Sequence, residues 1–123
     1  MSADQVLFDR EATLTRVDHD RELLDELVAL FRPEAVRLIG EMREAAIRSD
    51  PAGLEESAHA LKSSLGNLGA ARAASIAREL EELGRAGLPD GLELHLEQLE
   101  HAVAGFLREY EEFRSRAPVP QGE

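Results

Sequence analysis

Residues 51–68 read PAGLEESAHALKSSLGNL, and this stretch decides the fold. Its apolar positions step by four, three, four and three residues, which is the spacing of one face of an α-helix. These positions are Leu54, Ala58, Leu61, Leu65 and Leu68. Asp50 can cap the start of the helix, Pro51 suits its first position, and Gly69 can end it in the left-handed conformation. The stretch therefore predicts an amphipathic helix with one buried face.

The chain before this helix also has a helical pattern. Residues 9–17 predict a brief first helix, and Asp18 or Asp20 can cap a long segment that ends near residue 50. The apolar positions of the long segment are Leu24, Leu27, Phe31, Ala35, Leu38, Met42 and Ala45. Pro33 removes one backbone hydrogen bond, so we expect it to kink or divide the segment near residues 29–33.

Two further helices are predicted after residue 69. The first spans residues 70–85, and its inward positions are Ala73, Ile76, Leu80 and Leu83. Gly84, Gly87 and Pro89 then break the chain, and Asp90 is the expected cap of the last helix. That helix alternates steps of four and three residues without a break through Leu92, Leu96, Leu99, Val103, Phe106, Tyr110 and Phe113.

The predicted fold class is all-α, because no segment has the pattern of a strand. Four amphipathic helices with short connections predict an antiparallel up-down-up-down four-helix bundle, with a short extra N-terminal helix. We expect one domain over residues 8–115, with flexible termini at 1–7 and 116–123. The same heptad-like spacing also occurs in intermolecular coiled coils, but four helices in one chain can bury each other's apolar faces, so we expect a monomer.

Composition excludes several classes of function. The 123 residues include 25 acidic and 14 basic ones, and a net charge of −11 disfavours nucleic acid and anionic membranes as partners. The absence of cysteine excludes disulfides and thiol chemistry. No apolar run approaches the length of about 20 residues that a membrane span needs, and the N-terminus has no signal-peptide pattern. We expect a cytoplasmic protein, and Met1 with the polar tail favours a free protein over a fragment of a hybrid kinase.

His59 is the candidate functional residue. At about 100° per residue, the helix turns it roughly 150° from the centre of the apolar face, so its ring meets water. Its neighbours one or two turns away are Glu55, Glu56, Lys62, Ser63 and Gly66. An ordinary surface histidine is the simplest interpretation, but Lys62 could neutralise an anion and the small neighbours leave the ring open. A neutral imidazole is a good nucleophile near pH 7, so a phosphoryl-accepting histidine is chemically coherent.

The motif AHALKSSLGNLGA, residues 58–70, resembles the signature of histidine-containing phosphotransfer (HPt) domains. His59 matches the phosphorylated histidine, Lys62 the basic position beside the phosphate, and Ser63 and Ser64 the small positions. Leu61 matches the buried position, and the resemblance extends over roughly residues 8–113. Many members have glycine where this chain has Ser63, which indicates slightly more crowding.

The resemblance implies a four-helix bundle that carries a phosphoryl group between aspartates of receiver domains. Glu81 falls where family members have a polar residue that accepts a hydrogen bond from the imidazole. Arg85, one turn on, is implied to contact the partner or the phosphate. The partner surface is expected to comprise Glu55, Glu56, Ser63, Gly66 and Arg85. The receiver is implied to supply Mg²⁺, so we expect no metal or cofactor in this chain.

Other candidate sites are weaker. His19, His95 and His101 lack comparable neighbours, and the last two are spaced wrongly for a metal shared on one helix face. Gly66 and Gly69 do not form a phosphate loop, because the long glycine-rich span and the preceding strand are absent. We therefore expect no nucleotide site and no ATP-dependent kinase activity.

Two alternatives to the phosphotransfer hypothesis remain. A non-catalytic bundle could bind a receiver or a kinase without being phosphorylated, although the His59–Lys62 pair argues against it. The dimerising histidine domain of sensor kinases usually has an acidic residue after the histidine and a proline further on. Here Ala60 follows His59, and no proline lies between Pro51 and Pro89, so this alternative is disfavoured.

Overall fold

The computed structural model describes residues 2–87 and 90–116, in which all regular secondary structure is helical and no strand occurs. The predicted all-α class is therefore confirmed. The elements are a 3₁₀ turn at Ala3–Gln5 and the helices α1 (Arg10–Arg16), α2 (Arg21–Ile47), α3 (Pro51–Asn67), α4 (Ala71–Arg85) and α5 (Leu92–Ser115). Within the described ranges, no helix is both long and apolar enough to cross a membrane. The domain bounds 8–115 and the flexibility of the termini stay predictions, and residues 117–123 of the tail lie outside the described ones.

Aspartate side chains cap the starts of three helices, and the caps at Asp20 and Asp50 confirm predictions from the sequence. Asp9 caps α1 and Asp20 caps α2, each by accepting a hydrogen bond from a backbone amide three residues on. Asp50 accepts from the amide of Gly53 at 3.0 Å, directly before Pro51 at the first turn of α3. Gly69 follows α3 with a φ of +75°, which confirms the left-handed end predicted for this helix.

The start of α5 differs from the prediction. Asp90 was expected to cap this helix, but the residue at the cap position is Gly91, and no side chain caps the helix. Gly91 has a φ of 97°, a conformation that glycine adopts without the steric cost of a Cβ atom. The prediction of Asp90 as the cap was wrong because the turn into α5 depends on this backbone conformation.

Pro33 was expected to kink or divide the long helix. A division is wrong, since α2 is continuous from Arg21 to Ile47, and a kink stays a prediction. Pro33 and Ala29 are both exposed, so water can reach the backbone carbonyl that Pro33 leaves without a donor. The inward face of α2 contains Val28, which is buried, in place of Leu27, which is 38% exposed.

One apolar core joins α2, α3, α4 and α5. Helix α3 packs against α2 and α4, and α5 packs against α4 and α2. Phe106 lies at the centre of an aromatic group, with edge-to-face contacts to Phe8 and Phe31. The predicted inward residues of α3 are all buried, which confirms the apolar face on which the fold prediction was based.

Gly84 permits a close approach between the backbones of α3 and α4. It was expected to break the chain, but it lies inside α4 and is buried. A Cβ atom at this position would lie 2.8 Å from the backbone nitrogen of Glu55 and 2.9 Å from the backbone oxygen of Pro51. Both contacts are with backbone atoms, so α4 cannot accept a side chain here unless the two helices separate.

We predict that Gly84→Ala lowers the free energy of unfolding by about 1–3 kcal/mol, because overpacking forces the backbones apart. Gly40→Ala is the matched control, since Gly40 is exposed inside α2 and no atom lies within 4 Å of its added Cβ. The control should be more stable than the wild type by about 0.5–1 kcal/mol, the usual preference of a helix for alanine. Chemical denaturation measures both changes, and equal effects of the two substitutions would contradict the assignment of Gly84 to a tight helix contact.

Candidate functional site

The imidazole of His59 is presented to solvent by α3. Its side chain is 61% exposed, as the helical phase predicts, while Ala58 and Leu61 on either side of it are buried. Its Nδ1 atom lies 2.7 Å from Oε2 of Glu81 on α4. The ring is therefore held at one nitrogen by the protein, while the other nitrogen, Nε2, makes no hydrogen bond or ion pair with a described residue.

Glu81 joins three side chains into one cluster. Its own side chain is only 7% exposed, and its second oxygen, Oε1, accepts a hydrogen bond from Lys62 Nζ at 2.6 Å. Lys62 stands one turn after His59 on α3, so a single carboxylate on α4 binds two neighbouring residues of α3. Both oxygens of Glu81 are thereby engaged.

The charge state of Glu81 follows from these contacts. The hydrogen bond from Lys62 lowers the pKa of Glu81 below its ordinary value, burial opposes this shift, and the hydrogen bond with His59 adds to it. The carboxyl group is therefore ionised at neutral pH and can only accept hydrogen bonds. In the neutral ring the proton must then lie on Nδ1 of His59, which leaves a free electron pair on the exposed Nε2.

Arg85 lies next to Glu81, on the side of the site towards the N-terminus of α3. Its Nε donates to Oε2 of Glu55 at 2.9 Å, and its Nη2 lies 3.6 Å from Oε2 of Glu81. The hydrogen bond to Glu55 raises the pKa of Arg85, so its guanidinium stays charged. Two residues of the expected partner surface, Glu55 and Arg85, therefore form an ion pair beside the histidine.

The other expected partner-binding residues leave the surface around the ring open. Glu56 is exposed and makes no side-chain contact within the described ranges. The hydroxyl of Ser63 donates a hydrogen bond of 3.2 Å to the backbone oxygen of His59 in the same helix. A Cβ atom at Gly66 would meet no atom within 4 Å. The space at Gly66 is available to a partner.

Two arginines near the site had no predicted role. Arg16, on α1, donates to the backbone oxygens of Gly66 at 3.1 Å and Asn67 at 2.6 Å, at the end of α3. Arg78, on α4, lines a cleft of about 400 Å³ together with Lys62 and Gly66. Arg16 is 50 residues from Gly66 in sequence, so no local spacing could reveal this contact. Arg78 could have been found from its position three residues before Glu81 on the same helix.

An apolar groove of about 470 Å³ lies beside the C-terminal half of α3. Its walls include Leu23, Leu27 and Leu30 of α2, and Ser64 and Asn67 of α3. Leu30 is one of the most exposed large apolar residues in the described part of the chain.

Within the described ranges, no group of three or more histidine or acidic side chains could hold a metal ion.

The comparison with protein families identifies the chain. The model of the Hpt domain matches residues 26–109, more than two thirds of the sequence and all of α3 and α4. This chain belongs to the Hpt domain family. Membership implies a part in the histidine phosphotransfer of a phosphorelay, and members of the family are phosphotransfer intermediates that interact with receiver domains and are not kinases. No curated protein and no solved structure matches the chain at a significant level.

For this Hpt domain we predict that Glu81→Gln lowers the free energy of unfolding by about 1–2 kcal/mol at pH 7, because Lys62 loses an ionised hydrogen-bond partner. The folded-state pKa of Glu81 is depressed, so the stability that its ionisation contributes is present above the unfolded pKa of about 4.3. That stability is lost as the pH falls through the lower folded-state pKa. The difference between wild type and variant should therefore shrink on acidification below about pH 4, as followed by denaturation at several pH values.

The control for this measurement is Glu82→Gln, which removes an exposed carboxylate from the next position of α4. Glu82 accepts no side-chain hydrogen bond from a described residue, so its loss should change stability little at any pH. A wild-type advantage over Glu81→Gln that stays constant or grows as acid is added would contradict an ionised, doubly bonded Glu81.

We also predict the tautomer of His59. In the neutral ring Nδ1 should carry the proton and Nε2 should not, because an ionised Glu81 faces Nδ1. Nitrogen-15 chemical shifts of the two ring nitrogens measure this directly, with exposed His101 as the internal reference. Glu81→Ala should remove the preference for Nδ1–H, whereas a wild-type ring protonated mainly at Nε2 would rule out the orientation described above.

Proposed function

We propose that this Hpt domain accepts a phosphoryl group on Nε2 of His59 from a receiver-domain aspartate and passes it to the aspartate of another receiver. One observation carries the proposal: Nδ1 is bound to a buried, ionised Glu81, so the nitrogen with the free electron pair is the exposed one. A nucleophile that reacts with a group on another protein needs both properties.

The proposed transfer requires no proton transfer at the histidine. The electron pair of Nε2 attacks the phosphorus of the aspartyl phosphate, the N–P bond forms, and the P–O bond breaks to restore the receiver's carboxylate. The Nδ1 proton stays in place, so the phosphorylated ring carries a positive charge that faces the Glu81 carboxylate. Transfer to the next receiver is the same step in reverse, with a different aspartate as the acceptor.

Lys62 has a different immediate contact from the one that the resemblance implies. The matching position of the family lies beside the phosphate, whereas here the Lys62 ammonium binds Glu81 at 2.6 Å. We propose that Lys62 keeps Glu81 ionised and aligned before transfer, while its 30% exposed side chain also adds positive potential on the side where the phosphoryl group arrives. Its contribution is positioning and charge, not nucleophilic attack.

The proposed docking surface for the receiver surrounds His59. Glu55, Glu56, Ser63, Gly66 and Arg85 provide its polar and small residues. The apolar groove between α2 and the end of α3 lies next to this surface, and an exposed apolar patch bordered by polar residues is typical of a protein-binding site. A receiver that covers both regions would bring its aspartate to an open ring.

We propose that α2, α3, α4 and α5 form an antiparallel up-down-up-down bundle, with α1 as the extra N-terminal helix, and that the domain acts as a cytoplasmic monomer without ATP-dependent kinase activity. The short links after α2 and α3 support this order, because short connections place successive helices side by side in opposite directions.

The test is incubation with a receiver domain phosphorylated on its aspartate. We predict acid-labile, alkali-stable label on the wild-type Hpt domain and none on His59→Gln, because the amide lacks the nucleophilic nitrogen. His101→Gln, which alters an exposed histidine on α5, should be labelled like the wild type. Label that persists in His59→Gln would contradict the proposal that His59 is the phosphorylated residue. Receiver binding without transfer by the wild type would favour a non-catalytic binding module.

A further inference from the structure

Arg78 is a cationic residue beside the proposed transfer site, and no described residue forms an ion pair with it. It lies on α4 three residues before Glu81, and it lines the same cleft as Lys62 and Gly66. Its side chain is exposed and makes no salt bridge or side-chain hydrogen bond with any residue that the structure describes. Among residues 2–87 and 90–116, Arg78 therefore has no hydrogen-bond or ion-pair partner for its side chain.

The other cations near His59 are already engaged. Lys62 donates to Glu81, and Arg85 donates to Glu55. Arg16 donates to the backbone oxygens at the end of α3. Arg78 differs from all three because its guanidinium can move without breaking a contact.

The carboxylates at the same cleft, Asp4 and Asp9, are not paired with Arg78. Asp9 accepts from the amide of Ala12 as the cap of α1, and Asp4 accepts from the hydroxyl of Ser2. Neither carboxylate forms a salt bridge with Arg78 in the described structure. The positive charge of Arg78 is therefore available for an incoming anion.

The proposed transfer creates a need for such a charge. The phosphoryl group adds one net negative charge, and its oxygens carry about two negative charges when the ring is protonated at Nδ1. Glu81 balances the charge of the ring and not that of the oxygens, which project from Nε2 on the opposite side. In a chain with a net charge of −11, an added anion is disfavoured unless a nearby cation compensates it.

We propose that Arg78 is a phosphoryl-contacting residue, whose guanidinium turns toward His59 and donates hydrogen bonds to the phosphoryl oxygens once the N–P bond has formed. The inference rests on the proposed function of His59. Arg78 and Glu81 are separated by less than one helical turn of about 5 Å, a distance that an arginine side chain spans. The planar guanidinium can donate two parallel hydrogen bonds to a phosphoryl group, which a lysine cannot reproduce.

The test is the equilibrium of phosphoryl transfer between a phosphorylated receiver and the full-length domain. We expect Arg78→Ala to shift this equilibrium toward the receiver by roughly tenfold, because the phosphorylated domain loses a charged contact that the unphosphorylated domain does not use. Arg78→Lys should give an intermediate shift, since it keeps the charge and loses the paired hydrogen bonds. Arg108→Ala is the matched control, because Arg108 is exposed on α5 and makes no side-chain contact with a described residue.

The equilibrium separates contact with phosphate from contact with the receiver. A residue that only helps docking changes the forward and reverse rates equally and leaves the equilibrium constant unchanged. Forward and reverse rates that fall together in Arg78→Ala would therefore overturn the proposal, as would behaviour identical to that of Arg108→Ala. A wild-type domain that takes no label at all contradicts the proposed function of His59 itself, which is a separate and recognisable result.

Discussion

The site depends on the close contact between α3 and α4. Gly84 brings the backbone of α4 against the first turn of α3, where no side chain could fit. Glu81 precedes Gly84 by one turn on the same face, so the contact that fixes the helix spacing also sets the reach of its carboxylate. At this spacing Glu81 bonds both His59 and Lys62 with short hydrogen bonds. The position of the His59 ring is thus a consequence of packing between two backbones.

Two opposing effects determine the ionisation of the buried Glu81 carboxylate. Burial alone would favour its neutral form, which could donate a proton to Nδ1 and leave the tautomer of His59 undefined. The ammonium of Lys62 reverses this tendency, so Glu81 is a fixed acceptor. A buried ion pair gives little net stability relative to a well-packed apolar pair, because desolvation offsets much of the attraction, although removing one partner is costly. Its main effect is orientation: one carboxylate determines which ring nitrogen faces the solvent.

Local spacing in the sequence predicts the positions and buried faces of the helices well, but it predicts breaks and caps less well. The faces of α3 and α5 and the caps at Asp20 and Asp50 follow from positions within one helix. A division at Pro33 and a cap at Asp90 were wrong predictions. Water can reach the carbonyl that Pro33 leaves free, and the turn into α5 depends on the left-handed backbone of Gly91. Glu81 was assigned only through the family resemblance, since it is 22 residues from His59. The engagement of Lys62 by Glu81 and the role of Gly84 in helix packing needed the tertiary structure.

The hydrogen bond between His59 and Glu81 also bears on the direction of transfer. Many nucleophiles need a general base to remove a proton during attack, and the same group must then return it. Under the proposed transfer, the Nδ1 proton of His59 stays on the ring in both directions, so the domain needs no base at Nε2 and no rearrangement between accepting and donating. The site then favours neither direction by proton chemistry. Under the same proposal, the direction depends on the relative stability of the aspartyl phosphates in the two receivers and on the charges proposed to contact the phosphoryl oxygens.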